Sequence, residues 1–284
     1  MARTNNNPLT KAQAPYQFKD IVLFVVTHLP ELTSQYHLRR FPVIMMCLQT
    51  MRERAKRDHT FMVWDNGSAP EVRECIQKEF QPDVFIQSPN IGKNTARFYG
   101  INMLPTSSIV AYSDDDMYYH DNWLNPQIEL LSNFPNVSVV SGYTVRTMFR
   151  WGCENTIAWA EKNATLKRGR FISREDEDDY CISIGRDPAE HTRNTVKDID
   201  YKIQYEGMEA YATAHHAQFI GYAAKLRNYL HYDNNAMTDE KPTDIVLDKV
   251  GLRLSTTKRY VQHIGNTLDD RFKEVKKEVE QVPV

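Results

Sequence analysis

The sequence predicts an α/β fold with a mostly parallel central sheet flanked by helices. Short apolar runs of strand length alternate with helical stretches over the first half of the chain, as in parallel sheets with right-handed crossovers. These runs lack polar alternation, which is typical of strands buried on both faces. One of them, SIVAYS at 108–113, leads directly into Asp114, Asp115 and Asp116. Residues that follow a parallel strand lie at the sheet edge where open α/β folds bind ligands, so we predict a site there.

The predicted elements follow in order along the chain. Strands are predicted at 21–26, 61–64, 83–86, 108–113 and 137–140. Helices are predicted at 34–57 with a kink near Pro42, at 71–80 behind Pro70 with Ser68 as its cap, and at 93–104. Further helices are predicted at 211–230, 239–250 and 269–281, with an extended segment at 251–263. Because 144–202 is polar, dense in both signs of charge and without a clear period, it is interpreted as a partly loop-like insertion.

Composition limits the classes of protein. The chain has 284 residues and a formal net charge of -2, which gives no global attraction to nucleic acid or anionic lipid. Its four cysteines are scattered without a C-x-x-C pair, so a reducing cytoplasm is the simpler location. The polar N-terminus lacks a signal-peptide core, and no apolar stretch approaches the roughly 20 residues that span a bilayer. We therefore expect a soluble, cytoplasmic protein.

The acid triplet at 114–116 is the most informative motif. Three adjacent carboxylates repel one another, and a divalent cation held by oxygen ligands and shared with a substrate phosphate relieves that repulsion. An acidic surface turn is the alternative. The buried strand before the triplet and the ordered pattern MYYHDNWL after it favour the metal site.

Two further turns follow predicted strands. In DNGS at 65–68, the carboxylate of Asp65 could accept hydrogen bonds from a base or a ribose, although this tetrapeptide is also an ordinary turn. In NIGKNTAR at 90–97, Gly92, Lys93 and Arg97 surround a helix start, where backbone N–H groups and positive charge suit phosphate. The motif is neither a P-loop nor a dinucleotide fingerprint, and a capped surface helix is its alternative.

Two late features add ligand and base candidates. His263 ends an extended run, and a neutral imidazole is a good ligand for manganese, although single histidines are more often structural. Asp239 and Glu240 could supply a general base, or they could simply begin a helix, where the helix dipole favours acids. Spacing alone does not choose between these interpretations.

Five motifs occur in one order: IVLFVVTHLPE, VWDNGS, NIGKNTARFYGINML, VAYSDDDMYYHDNWL and TDEKPTDIVLDKVGLRLSTTKRYVQHIG. The series resembles glycosyltransferase family two, the nucleotide-sugar enzymes of the GT-A fold. The resemblance runs from about residue 20 to residue 265 and is weak through the insertion. It implies a Rossmann-like, mostly parallel sheet with an elaborated insertion on the acceptor side.

The resemblance also implies a domain organisation. We expect a flexible leader at 1–18 and a single catalytic domain at 19–265. Within that domain, 19–142 would bind the nucleotide sugar and 143–265 would form the acceptor half. A C-terminal helix would follow at 266–284.

Roles carry over to the matching positions. Thr27 and Leu29 fall where the first strand lines the nucleotide pocket, Asp65 falls at the acid that contacts the base or ribose, and Arg97 falls beneath the nucleotide. Gly92 and Lys93 precede Arg97 in the same phosphate-binding turn.

The metal and the base are implied in the same way. The triplet falls on the metal-binding D-x-D motif, with Asp115 as principal ligand and His263 completing the metal shell. The family often has Asp where this chain has Ser113, so the resemblance does not decide whether Asp114 or Asp116 is the second acidic ligand. The family's Glu-Asp pair, whose second acid is the base, is inverted here, so Glu240 is the match and Asp239 its rival.

The implied function is a metal-dependent, inverting glycosyltransferase for hexosyl or pentosyl groups. It would use Mn²⁺ or Mg²⁺ and a nucleotide-diphosphate sugar, with a UDP-sugar as first choice, to glycosylate an acceptor hydroxyl. A sugar nucleotidyltransferase is one alternative, but it would want a glycine-rich basic loop where this chain reads THLPEL. A catalytically silent nucleotide-sugar or carbohydrate-binding module is another. The acceptor would be a glycan, a small molecule or, as a minority option, a hydroxyl on a modified nucleic-acid base.

Overall fold

A computed structural model describes residues 16–229, 240–266, 268 and 272 of the chain. The strands of these ranges are β1 (Ile21–Thr27), β2 (Thr60–Asn66), β3 (Val84–Ser88), β4 (Ile109–Ser113), β5 (Met117–Tyr119), β6 (Val137–Ser141), β7 (Thr165–Gly169), β8 (Asp200–Tyr205), β9 (Met208–Tyr211), β10 (Gln218–Tyr222), β11 (Leu252–Thr256) and β12 (Val261–His263). The helices are α1 (Gln35–Glu53), α2 (Pro70–Cys75), α3 (Lys93–Met103), α4 (Leu124–Asn133), α5 (Glu154–Asn163), α6 (Arg174–Ser183), α7 (Pro188–Asn194), α8 (Ala223–Tyr229) and α9 (Lys241–Val250). A π-helical turn, Ile76–Phe80, extends α2, and a 3-10 turn, Arg146–Arg150, precedes α5.

A ten-stranded mixed sheet with the order β3-β2-β1-β4-β10-β6-β11-β9-β8-β7 forms the centre of the described structure. Strands β3, β2, β1 and β4 are parallel neighbours, and β11 is parallel to β6. The carboxyl ends of β1, β2 and β4 therefore meet at one edge, as predicted. Strands β10, β9, β8 and β7 add antiparallel pairs, so the sheet is parallel in its first half and mixed beyond β4.

The central strand β1 explains why the predicted strands lack polar alternation. Leu23 and Val25 pack into a core on one face, which includes Met45 of α1. Val22 and Phe24 pack into a second core on the other face, which includes Ile101 of α3. Helices cover both faces, so positions 21–26 are all apolar and only the last residue of the strand, Thr27, is polar.

Helix α1 begins with a side-chain cap, but helix α2 does not. Ser34 caps α1, because its hydroxyl accepts a hydrogen bond from His37 N, and the helix continues through Pro42. The prediction that Ser68 caps α2 is wrong: the residue before that helix is Ala69, and the Ser68 hydroxyl accepts from Leu29 N at 3.0 Å instead. Ser68 therefore joins the end of β1 to the turn after β2.

The helix predicted at 211–230 is also wrong over most of its length. Strand β10 lies there, between β4 and β6, and only α8 is helical. The segment is rich in alanine, which favours helix, but Phe219 and Ile220 are buried in the middle of the sheet. Burial and strand pairing override the local propensity.

The insertion at 144–202 is more regular than predicted. It contains α5, α6, α7 and β7, and it ends in β8, which pairs with β7 and β9. Buried ionic contacts hold it together: Arg146 Nε donates to Asp200 Oδ1 at 2.8 Å, and His191 Nε2 lies 2.8 Å from Glu177 Oε2. Because charged and polar contacts, and not an apolar stripe, join these elements, their sequences show no hydrophobic periodicity.

A second, two-stranded sheet brings the late segment to the acid triplet. Strand β12 is antiparallel to β5, with His263 opposite Met117. The helix predicted at 269–281 lies outside the described residues. None of the helices in the described ranges is long and apolar enough to cross a membrane.

Candidate active site

The acid triplet lies between β4 and β5, at the edge where the carboxyl ends of β1, β2 and β4 meet. A cavity of about 240 Å³ opens there. Its walls come from five segments and are formed by Val26, His28, Arg40, Asn66, Lys93, Asp114, Asp115 and Asp116. The sequence-predicted residues Lys93 and Asp114 to Asp116 thus share one cavity.

Each aspartate of the triplet has different partners. Asp114 accepts from Tyr112 Oη at 2.7 Å and from Lys93 Nζ at 3.0 Å. Asp115 accepts from the Arg40 guanidinium through Oδ1 and from His28 N through Oδ2, at 3.1 Å for the latter. Both oxygens of the predicted principal metal ligand therefore already have protein donors.

Asp116 and His263 form the third pair. Asp116 Oδ2 is 3.3 Å from His263 Nε2, and Ser183 Oγ lies 2.7 Å from His263 Nδ1. Burial raises the pKa of Asp116, but the charge and hydrogen bond of His263 outweigh it and lower the pKa to about 2. Burial lowers the pKa of His263, and the Asp116 carboxylate more than reverses this and raises it. The contact therefore favours the ionised carboxylate and the protonated imidazole over their neutral forms.

The donors suit a divalent cation. Asp116 Oδ1 is buried and has no hydrogen-bond partner within the described residues, so one carboxylate oxygen is open for a ligand. A carboxylate oxygen and the nitrogen of a neutral imidazole are ligands that manganese accepts. His263 would therefore bind a metal only after it lost the proton that faces Asp116. Across the described residues, no group of three or more His, Cys, Asp or Glu side chains is already arranged to hold a metal ion. Arg40 and Lys93 occupy the neighbouring carboxylates, so a third ligand requires one of these cations to move.

Helix α3 supplies the positive side of the site. Gly92, with a φ of 85°, allows the chain to turn into the helix at Lys93. Arg97 is buried, with its guanidinium over the Tyr112 ring at 5.2 Å. Lys93 Nζ is 3.1 Å from Glu240 Oε1, and Arg97 donates to Glu240 Oε2 at 2.8 Å. The phosphate-binding turn predicted from NIGKNTAR therefore contacts both acidic clusters.

Glu240 lies just before α9, and its role as the base stays a prediction. Burial raises its pKa, but the charges of Arg97 and Lys93 outweigh burial and hold the pKa well below its ordinary value. Both carboxylate oxygens are engaged by cations. Its rival Asp239 lies outside the described residues.

Three residues predicted for the nucleotide pocket are buried beside the cavity. Thr27 ends β1, and its hydroxyl has no partner among the described residues. Leu29 is fully buried. Asp65 is also fully buried and accepts from Ser68 N at 3.2 Å, so its carboxylate closes the turn that follows β2. A nucleotide contact by these residues stays a prediction.

Sequence reasoning missed three residues of the cavity. His28 and Asn66 lie inside the motifs THLP and DNGS, next to residues that were selected, and His28 Nδ1 is 2.9 Å from Asn66 O. Their positions at strand ends were the signal that could have found them. Arg40 had no such signal, because it lies within a helix and reaches Asp115 only through the tertiary fold.

Comparison with known proteins identifies the fold first. The architecture is similar to a solved structure of GalNAc-T7 with UDP, GalNAc and Mn²⁺, with a TM-score of 0.50, 12% identity, and coverage of 88% of this chain and 44% of that one. The predicted GT-A-type α/β fold is confirmed. The sequence profile of Glycosyl transferase family 2 matches residues 38–192, more than half of the chain. The chain therefore belongs to glycosyltransferase family 2.

Two further solved structures are similar at lower scores. The mannosyltransferase PcManGT from Pyrobaculum calidifontis, in complex with GDP-Man and Mn²⁺, has a TM-score of 0.36 and 18% identity, with 48% of this chain and 38% of that chain covered. S. aureus TarS 1–349 has a TM-score of 0.47 and 14% identity, with 93% and 65% covered. The chain spans less than two thirds of the length of each of these three structures. A search of proteins with curated functions finds no match.

Proposed function

We propose that this protein is a nucleotide-sugar-dependent glycosyltransferase that moves a hexosyl or pentosyl group from a nucleotide-diphosphate sugar to an acceptor hydroxyl. The observation that carries the proposal is the charge arrangement of one cavity at the sheet edge. Asp114, Asp115 and Asp116 face Arg40 and Lys93 there. Because the chain belongs to glycosyltransferase family 2, we interpret this arrangement of charges as a site for a nucleotide-diphosphate sugar and a metal ion.

The diphosphate of the donor would bind at the positive side of this cavity. Lys93 and Arg40 are within reach of the triplet, and a phosphate oxygen could replace a carboxylate as their partner. Asp116 and His263, with Asp115 once Arg40 leaves it, would hold Mn²⁺ or Mg²⁺. The ion's role would be to neutralise charge that builds on the leaving nucleoside diphosphate. We propose a UDP-sugar as donor, with Thr27, Leu29 and Asp65 lining its nucleotide pocket.

Transfer would proceed by single displacement with inversion. The acceptor oxygen attacks the anomeric carbon while the bond from that carbon to the diphosphate oxygen breaks. The acceptor hydroxyl must lose its proton to a base. A carboxylate at the start of α9, Glu240 or Asp239, is the base that the family motif predicts.

A ligand panel tests the proposal. Thermal unfolding is measured with UDP and GDP, each with and without Mn²⁺, and nucleotide release is measured from UDP-glucose, UDP-N-acetylglucosamine and GDP-mannose. We expect Mn²⁺ together with one nucleotide to raise the melting temperature, because ligands that bind the native state stabilise it. We also expect release of that nucleoside diphosphate from its sugar.

The alternatives give different outcomes in the same panel. A silent binding module would show the thermal shift without nucleotide release. A nucleotidyltransferase would instead join a nucleoside triphosphate and a sugar 1-phosphate. Asp116→Asn should abolish the effect of Mn²⁺, whereas Asp121→Asn, at an exposed carboxylate paired with Lys56, should retain it. Retention in both variants would contradict the metal site.

A further inference from the structure

A second cavity lies in the insertion, between the start of α6 and α7. It has a volume of about 260 Å³ and shares no described wall residue with the cavity at the sheet edge. We call it the arginine cavity. Its walls include Arg146, Arg170, Ile172, Arg174, Glu177 and His191.

The acidic side chain in these walls is fully engaged. Within the described residues, Glu177 is the only carboxylate that lines the arginine cavity. Its Oε1 accepts from Arg146 N at 2.7 Å, and its Oε2 lies 2.8 Å from His191 Nε2. Both oxygens therefore bond within the protein, and the described walls offer no free carboxylate to a ligand.

Two arginines of the walls keep unused donors. Arg170 Nη1 donates to the carbonyl oxygens of Thr195 and Val196, at 3.2 and 2.9 Å, and Arg170 forms no ion pair with a described residue. Arg174 Nε is 3.3 Å from Asp178 Oδ2, and neither of its Nη atoms has a partner in the part of the chain that the structure describes. Both side chains are exposed, so their remaining N–H groups are open to a ligand.

These walls suit an anion. A guanidinium offers only hydrogen-bond donors, and its planar fork matches the two oxygens of a carboxylate or phosphate. Arg146 is already paired with Asp200 Oδ1 at 2.8 Å, so the charge available to a ligand comes from the other two arginines. Ile172 adds an apolar surface for carbon atoms next to the anionic group.

The acidic residues of α6 disfavour a ligand with many charges. Glu175, Asp176, Asp178 and Asp179 follow Arg174 on this helix. A nucleic-acid strand carries a phosphate on every nucleotide and would meet this acidic run, where like charges repel. A single anionic group on an otherwise neutral molecule avoids that repulsion, which favours a glycan over a nucleic acid.

Helix α6 connects the arginine cavity to the site at the sheet edge. Glu177 and Ser183 are six residues apart on this helix, which corresponds to about 9 Å along its axis. Ser183 Oγ is 2.7 Å from His263 Nδ1, and His263 Nε2 is 3.3 Å from Asp116 Oδ2. The arginine cavity is therefore within about 20 Å of the acid triplet, and one extended molecule could reach both.

We infer that the arginine cavity is a second binding site, for the phosphate or carboxylate group of an anionic glycan, held by Arg170 and Arg174. On the proposed function, on which this further role rests, that glycan is the acceptor. Its anionic group would anchor it in the insertion while its hydroxyl lies at the sheet edge.

Binding of small anions without nucleotide or metal tests the inference. Calorimetry compares glucose 6-phosphate, inorganic phosphate and glucose, with the wild type and with a double variant that combines Arg170→Gln and Arg174→Gln. We expect the wild type to bind glucose 6-phosphate more tightly than either other probe. The double variant should bind it at least about tenfold more weakly, because charge-assisted hydrogen bonds are lost. Both replaced side chains are exposed, and an unchanged melting temperature would show that the variant is folded.

Two single variants are the controls. Arg193→Gln removes an exposed arginine of α7 that does not line the arginine cavity, and it should bind glucose 6-phosphate like the wild type. Lys93→Gln removes a cation of the other cavity and should also retain binding, because without a metal that cavity presents three carboxylates to an anion. Loss of binding in Lys93→Gln but not in the double variant would overturn the inference, and so would a wild type that binds none of the probes.

The choice of ligand has its own contrary outcomes. Equal affinity for phosphate and glucose 6-phosphate would show a site for a free anion and not for a glycan. Tighter binding of a single-stranded oligothymidylate would show a nucleic-acid site. Because these measurements need no nucleotide sugar, they are independent of the ligand panel. A wild type that binds glucose 6-phosphate but releases no nucleotide would remove the acceptor role and leave the binding site.

Discussion

At the scale of one residue, the contacts of Asp115 differ from those expected of a metal ligand. The D-x-D resemblance makes it the principal metal ligand, yet its two oxygens contact Arg40 and His28 N. The charge of Asp115 raises the pKa of Arg40 more than burial lowers it, so the guanidinium stays charged. Arg40 therefore occupies the position next to Asp115 that a metal ion would need.

Removing Arg40 should strengthen metal binding. We expect Arg40→Gln to bind Mn²⁺ about tenfold more tightly than the wild type, equivalent to about 1.4 kcal/mol, because a competing cation is lost. Titration of Mn²⁺ followed by electron paramagnetic resonance measures this affinity. Arg39→Gln, at the exposed neighbouring position of α1, is the matched control and should bind like the wild type. Unchanged or weaker binding by Arg40→Gln would show that the two cations do not compete.

The contact between α6 and β12 positions His263 at the scale of elements. Gly265 follows β12 with a φ of 73°, and a Cβ added to it would lie 1.9 Å from Ser183 O at the end of α6. This close approach brings Ser183 Oγ to His263 Nδ1. The insertion, through α6, therefore supports the predicted metal shell.

A side chain at position 265 should disrupt that contact. Gly265→Ala adds backbone strain and a clash with another backbone atom, and we expect it to lower the free energy of unfolding by about 2–5 kcal/mol. Chemical denaturation measures the loss. Gly207→Ala isolates the strain, because Gly207 has a φ of 82° but nothing within 4 Å of an added Cβ, and should cost about 1–2 kcal/mol. Equal losses in the two variants would contradict the importance of the α6 contact.

Element prediction succeeded where one local signal dominated and failed where tertiary contacts did. Helix α3 and the parallel strands before it follow from apolar runs and turn residues, and the structure confirms them. Strand β10 does not, because its alanine-rich surroundings favour helix until β4 and β6 pair with it. Helices α6 and α7 were not predicted, because buried contacts of Glu177 in α6 with His191 in α7 and with Arg146 hold them, and no apolar stripe marks them in the sequence.

At the scale of the whole molecule, ion-paired carboxylates and buried histidines make the stability of the native state depend on pH. Ion pairs lower the pKa values of Asp116 and Glu240 below their ordinary range, against the effect of burial. Burial lowers the pKa of His120 to about 4 and, more strongly, that of His215. Groups whose pKa is lowered on folding bind more protons in the unfolded chain, so all four favour the native state as pH rises.

Acid should therefore unfold the protein in two stages. The histidines destabilise the native state as pH falls from about 6.5 to about 4, and the carboxylates do so from about 4.5 to about 2. His263 acts in the opposite sense. Because its pKa is raised on folding, its stabilising contribution is fully present below about pH 6.5 and is lost as pH rises above that value, outside the first stage. Melting temperatures between pH 2 and 8, without metal, measure both stages.

One histidine variant tests the first stage. His120→Gln should lessen the loss between pH 6.5 and 4, because one of the two histidines that are protonated on unfolding is removed and only His215 is left. His59→Gln should leave the profile unchanged. A wild-type melting temperature that stays constant from pH 6.5 to 4 would contradict the assignment.

The sequence by itself determined the α/β class, the succession of the parallel strands along the chain and the sheet edge at which the acid triplet lies. These depend on local patterns, because strand length, turn chemistry and the direction of a parallel strand are encoded within a few neighbouring residues. Only the tertiary structure decided which cations face which carboxylates, since Arg40, Lys93 and His263 reach the triplet from segments far apart in the chain. It also decided that Asp244 of α9 contacts His216, because these residues are far apart in the chain and no spacing in the sequence brings them together.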